Sequence, residues 1–384
     1  MLKTQKLLRE MKHCKVVKFG DHYYLGLTIP RWPSKAFDHM VGKGGLNFTA
    51  GGTRYKTQID MAALAITRKC SYECEHCYEY FNLGEKDVVP IEVWKDTIKK
   101  LQQIGVSIIA LSGGEPMLRY DGLLELIESA DKNLSDIHLE TSGHLVTEKN
   151  ALELKKLGVT AAGVALDHSD PKKHDDFRKH DGAYEDAIQA LCHFNRAGVF
   201  TYTNLCLTSD LIRSGNLRRY LDLVKNLNVG IIRFLEPKPC GGYLFINMED
   251  LFSEEDKKAA TEFFAKANLD KEFSDYPLIS YEVYYESPGR LGCLMGGLSH
   301  FHIDSLGNVT PCPFLPISFG NIMEEDFLDI YSRMKDAVKD TKNIECPAFF
   351  LSTKIRNWNR EGESMPIPYG EIEKEWNSIF ENAV

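Results

Sequence analysis

A chain of 384 residues with 43% hydrophobic and 26% charged residues has the composition of a packed globular protein. Its formal net charge of −9 argues against nucleic acid as a partner, because phosphate binding wants a basic surface. No apolar run approaches the ~20 residues of a bilayer-spanning helix, and no signal peptide precedes the first polar residues, so the expected location is cytoplasmic. In that compartment ten cysteines read as metal ligands, catalytic groups or inert core thiols, not as a disulfide framework.

Residues 1–60 form an irregular N-terminal extension, with a hairpin expected from Lys15–Phe19 and Tyr23–Thr28 and a glycine-rich stretch over Gly42–Gly52. At its start Leu7, Leu8 and Met11 share one helical face, and Lys3, Lys6, Arg9 and Lys12 take the remainder. That basic amphipathic pattern fits a peripheral membrane contact or, more readily, a helix packed on the domain that follows. From residue 61 the pattern becomes regular. Strand-length apolar runs fall at Met61–Thr67, Ser107–Leu111, Ile137–Thr141, Ala161–Leu166, Thr201–Leu207 and Ile231–Leu235. Between them, helical periodicity covers Val93–Ile104, Leu123–Ala130, Glu148–Leu157, Tyr184–Ala197 and Leu217–Leu227. A sixth helix near Ser253–Ala267 opens on a capping-box pattern, Ser253 with Asp256. Alternating strand and helix predicts parallel βα units, and six are too few for a closed eight-stranded barrel. The expected fold is α/β: a partial (β/α)6 barrel over 61–280, with chemistry at the C-terminal strand ends. Ser299–Asp304 and Val309–Phe314 then read as a hairpin turning at Ser305–Asn308, followed by a helix at Glu325–Met334. These predict a small separate module over 281–350 and a C-terminal tail over 351–384.

Directly after the first barrel strand stands Cys70-Ser-Tyr-Glu-Cys74-Glu-His-Cys77. Thiolates this close on one loop can converge on a soft metal centre. Tetrahedral zinc wants a fourth ligand, and His76 is badly placed to converge with its neighbour Cys77. An iron–sulfur cluster accepts a missing fourth ligand if a cofactor fills the place. The Cys-x3-Cys-x2-Cys loop resembles the signature of the radical S-adenosylmethionine (SAM) superfamily, and Ser112-Gly113-Gly114-Glu115-Pro116, after the second strand, resembles its GGEP motif. The resemblance implies a [4Fe-4S] cluster on Cys70, Cys74 and Cys77, with SAM chelated by the fourth iron. It implies that Gly113, Gly114 and Glu115 hold the methionyl amino group. Reductive cleavage of SAM would give a 5′-deoxyadenosyl radical that abstracts hydrogen from substrate. Weaker matches place Thr141 and Ser142 at the ribose, Arg178 at the SAM carboxylate, Asn204 among the SAM contacts, and Leu235-Glu236-Pro237 and His76 near the adenine. An ordinary loop role stays open for each.

Toward the C-terminus, Cys293, Gly307-x4-Cys312 and Cys346 are similar to the SPASM or shorter twitch auxiliary-cluster module, implying a second [4Fe-4S] cluster on those three cysteines. The place that would complete a Cys-x2-Cys pair is Phe349. The fourth position is therefore open, held by a non-cysteine group, or filled from a distance; Cys240 is a candidate with no spacing to support it. Cys14, Cys192 and Cys206 read as inert, and the histidines and aspartates of 167–181 as a solvated loop. Gly42-Lys43-Gly44-Gly45 lacks the serine or threonine of a phosphate loop. The resemblance makes a peptide or protein the first expected substrate, with a lipid, a tetrapyrrole or another small metabolite as alternatives. It also implies a low-potential electron donor such as flavodoxin or ferredoxin. An iron–sulfur scaffold or electron carrier is the rival of another class, and the intact Gly-Gly-Glu-Pro argues against it.

Overall fold

The computed structural model describes residues 15–45, 59–339 and 341–381. The amphipathic start and Cys14 lie outside them, as does part of the glycine-rich stretch. Six parallel strands pair in chain order: β3 (Met61–Ala65), β4 (Ile108–Ser112), β5 (Asp136–Thr141), β6 (Val159–Ala165), β7 (Phe200–Cys206) and β8 (Ile231–Leu235). Helices cover the outer face, so strands such as β4 and β6 are buried along their whole length. Among the described residues the sheet does not close on itself, so it is a partial barrel. The helices at Ile91–Gln103, Tyr120–Ser129, Glu148–Leu157, Ala183–Ala197, Asn216–Asn226 and Glu254–Leu269 match the periodicity to within three residues at either end. The last begins with the expected reciprocal cap of Ser253 and Asp256.

The sheet is longer than six strands. β9 (Leu278–Ser280) extends it in parallel beyond β8. At the other edge, β10 (His300–Ile303) pairs in parallel with β3, His300 opposite Met61, and carries β11 (Val309–Thr310) as an antiparallel partner. The C-terminal hairpin is thus sewn into the barrel sheet. Further on, β12 (Ile317–Ser318) pairs with β13 (Ile367–Pro368), and Trp376, fully buried on the helix Glu373–Glu381, donates to the Ala337 carbonyl at 2.8 Å.

The N-terminal hairpin, β1 (Val17–Phe19) and β2 (His22–Tyr24), closes the barrel floor. Tyr24 stacks on Phe200, ring centres 3.6 Å apart, and its hydroxyl donates to the Thr160 carbonyl at 3.2 Å. Arg31 pairs with Asp136 at 3.2 Å. Those partners stand at the N-terminal ends of β5, β6 and β7, opposite the cysteine loops. Among the described residues no helix is long and apolar enough to cross a membrane.

One expectation fails locally. The segment after β6 is not an open solvated loop: Pro171–Arg178 is a helix, with Asp170 as its N-cap accepting from Lys173 N at 3.1 Å. Its sequence has almost no apolar stripe, so only the Asp-Pro start marked it.

Candidate active site

The thiols of Cys70, Cys74 and Cys77 lie together at the C-terminal end of β3, packed with Tyr72 and Ala183. Burial raises all three, Cys70 to about 11. Two further loops fix this one. From the end of β4, Gly114 N donates to Thr67 O at 2.8 Å and Glu115 N to Lys69 O at 2.7 Å. A Cβ on Gly114 would stand 2.2 Å from Lys69 O, so the approach requires glycine. From the end of β8, Gly242 N donates to Cys77 O at 3.0 Å, and a Cβ on Gly241 would stand 2.0 Å from that same oxygen. Gly241 and Gly242 escaped the sequence reading, because a lone Gly-Gly pair reads as a turn.

Glu115, Thr141 and Ser142 converge. One Glu115 oxygen accepts from Thr141 Oγ1 at 2.8 Å and Met117 N at 3.0 Å; the other accepts from Ser142 N at 2.8 Å and Ser142 Oγ at 2.6 Å. Gly113 lies on the same turn, against Thr67. Burial nevertheless raises the Glu115 carboxyl above its ordinary value. Thr141 and Ser142 therefore hold Glu115 in place.

Arg178 ends the unexpected helix. Its guanidinium grips Asp167 at 2.6 and 2.7 Å, and Nη1 stands 3.8 Å from Cys74 Sγ. Burial works against its charge, yet Asp167 and Cys74 hold its pKa above the ordinary value. Asn204 lies deeper, where Nδ2 donates to Glu140 at 2.6 Å and Oδ1 accepts from Arg233 at 3.3 Å. Glu236 is taken by Lys238 at 3.0 Å and by the Tyr281 hydroxyl. His76 is half-buried and stacks on Phe177 at 4.4 Å; desolvation lowers its pKa to about 3 and keeps it neutral.

His180 is not a solvated bystander. It stacks on Tyr72 at 4.2 Å, and Tyr72 and His144 both bond Asp186 Oδ2 at 2.8 Å. This network ties the cysteine loop to the helix at Ala183–Ala197. No spacing in the sequence relates His144, His180 and Asp186.

A second group of thiols gathers beside β10 and β11. Cys293, Cys312 and Cys346 are near enough to act on one another electrostatically, and Cys240, after β8, is within reach of Cys346 and Cys312. None of the four is in a disulfide. Beside Cys240 lies a small cavity lined by Tyr78, Glu79, His302, Asp304 and Pro313, among others. Burial, with Asp304 adding to it, pushes the Glu79 carboxyl up to about 7. Both sets of thiols suit soft iron–sulfur centres and offer nothing to hard cations.

The comparisons agree with this geometry. The model of the Radical SAM superfamily matches residues 64–227, and that of the SPASM iron–sulfur cluster-binding domain matches 293–348. The chain belongs to the radical SAM superfamily and carries a C-terminal SPASM domain. It is an enzyme whose cofactors are a [4Fe-4S] cluster with SAM and auxiliary iron–sulfur. Among its relatives, the AdoMet-dependent heme synthase of Oleidesulfovibrio alaskensis is 26% identical, over 77% of this chain and 82% of the relative. The sporulation killing factor maturation protein SkfB of Bacillus subtilis is 23% identical, over 74% of this chain and 68% of SkfB. The fold is similar to that of Streptococcus suis SuiB bound to S-adenosylmethionine, with a TM-score of 0.57 and 16% identity, over 72% of this chain and 66% of SuiB.

Proposed function

We propose that this enzyme oxidises an unactivated C–H bond of a peptide or protein. Cys70, Cys74 and Cys77 hold the SAM cluster, and Cys293, Cys312 and Cys346 the auxiliary one. When bound, the first cluster, charged by a donor of the flavodoxin or ferredoxin class, supplies the electron that cleaves SAM to methionine and a 5′-deoxyadenosyl radical. Glu115, steadied by Thr141 and Ser142, receives the methionyl ammonium beside Gly113 and Gly114. Arg178 donates toward Cys74 and stabilises the charged thiolate. Asn204 orients the nucleoside from the barrel wall. Tyr24 and Phe200 seal the barrel floor and keep water from a radical that abstracts hydrogen unselectively.

The likeness to the sporulation killing factor maturation protein SkfB carries the choice of a peptide substrate. The likeness to a heme synthase favours a second reading, a carboxylate-bearing tetrapyrrole.

Anaerobic incubation with SAM, reductant and a displayed peptide library separates the two. Expected are peptides that have lost two hydrogens, one as the hydrogen atom taken up in 5′-deoxyadenosine and the other as a proton and an electron that the auxiliary cluster would accept, with 5′-deoxyadenosine formed in step. Turnover of an iron tetrapyrrole, with no peptide modified, would replace the first reading by the second.

A further inference from the structure

We infer that Cys240 is the fourth cysteine ligand of the auxiliary cluster, completing a set with Cys293, Cys312 and Cys346. This rests on the reading of those three as auxiliary ligands and goes beyond it. Sequence spacing offers Phe349 where a fourth cysteine would complete a pair with Cys346. That ring is already engaged, with Lys238 Nζ 5.0 Å and Lys257 Nζ 5.5 Å from its centre. The loop of Cys346 therefore supplies one thiol only.

Cys240 arrives from the barrel. Its backbone N–H donates to Lys238 O at 2.8 Å, and its carbonyl accepts from Tyr243 N at 3.0 Å, which closes a tight turn. The next two residues are clamped on the first cysteine loop, by the Gly242 bond to Cys77 O and the close approach of Gly241. Its position is thus set by backbone contacts on both sides. The residue is buried, at 4% exposure, and lines the cavity together with Thr310 and Pro313, which flank Cys312. Its electrostatic neighbours are Cys346, Cys312, Cys206 and the ammonium of Lys238.

An inert core thiol sits among apolar side chains. Cys240 sits among thiols, beside a buried lysine that also faces Cys346 and Cys312. A cluster held by four thiolates carries net negative charge, and a fixed ammonium two residues from one ligand offsets it. Four thiolates also leave no iron free. A three-cysteine site would bind substrate at its open iron; a closed site serves electron transfer.

The test uses full-length protein with Cys70, Cys74 and Cys77 all replaced by alanine, so that only auxiliary iron remains. After anaerobic reconstitution this parent should hold about four irons, and its reduced paramagnetic resonance spectrum should not change with cyanide. Adding Cys240→Ala should remove about one iron in four or make the spectrum cyanide-sensitive. Cys240→Ser, which keeps the shape, should shift the midpoint potential with the circular dichroism unchanged. Cys192→Ala, at a half-buried helix position, is the control and should match the parent. Identical iron content, spectrum and potential in the Cys240 variants would overturn the inference. So would a parent spectrum that already responds to cyanide. A parent with no iron, correctly folded, would overturn the auxiliary-cluster reading and this inference with it.

Discussion

Gly114→Ala tests how tightly the turn after β4 grips the first cysteine loop. The new methyl carbon would stand 2.2 Å from Lys69 O, against the 3.0 Å below which such contacts essentially never fall, so the loops must part by about 0.8 Å. The bonds from Gly114 N to Thr67 O and from Glu115 N to Lys69 O, at 2.8 and 2.7 Å, then lengthen past about 3.5 Å and are lost. At about 1 kcal/mol each, that removes about 2 kcal/mol of loop–loop attachment. The chemical consequence is larger, because Cys70 follows Lys69 directly and metal ligands tolerate displacements of only about 0.2 Å. Iron and sulfide after anaerobic reconstitution, with 5′-deoxyadenosine formation, give the readout. The variant should keep its auxiliary iron, lose most of the SAM-cluster iron, and cleave SAM at under about a tenth of the wild-type rate. Gly370→Ala, where a Cβ meets nothing within 4 Å, should behave as wild type. Full iron and wild-type cleavage in Gly114→Ala would refute the requirement for close approach.

Two further outcomes are expected. Arg178→Met strands the buried Asp167 carboxylate and should cost about 3–5 kcal/mol in anaerobic urea unfolding; adding Asp167→Asn should recover part of it, and an additive double variant would contradict the pairing. Tyr24→Ala, which removes the stack on Phe200, should cost about 3 kcal/mol, whereas Tyr24→Phe should cost only the bond to Thr160, about 1 kcal/mol; equal losses in denaturant unfolding would mean the stack contributes nothing.

What was legible in the sequence was local. Cys70, Cys74 and Cys77 lie within eight residues, and Gly113-Gly114-Glu115 follows a strand, so motif and element reinforced each other. The strand Ile231–Leu235 and the helix Glu148–Leu157 were readable because each buries one pattern of apolar residues between clear stop signals. What escaped depends on contacts between distant residues. Nothing near His300 announces that it lies opposite Met61, and nothing near Gly241 announces the Cys77 carbonyl. The bonds of Thr141 and Ser142 to Glu115 run across 26 and 27 positions, which no local pattern announces. Phe349 was visible as a departure, but what the chain offers in place of a fourth cysteine there could not be read without the β8 loop.

The pairing of β3 with β10 has a consequence for synthesis. The strand that bears the first cysteine loop gains β4 within about fifty residues but waits for the chain to grow from residue 61 to residue 300 before its other edge is covered. At roughly 5–20 residues per second, that edge stays open for roughly 10–50 seconds in every round of translation. The loop of Cys70, Cys74 and Cys77 thus emerges well before Cys293, Cys312 and Cys346 exist. A chain interrupted in that interval carries its first cysteine loop on a strand whose unpaired backbone is a template for another chain.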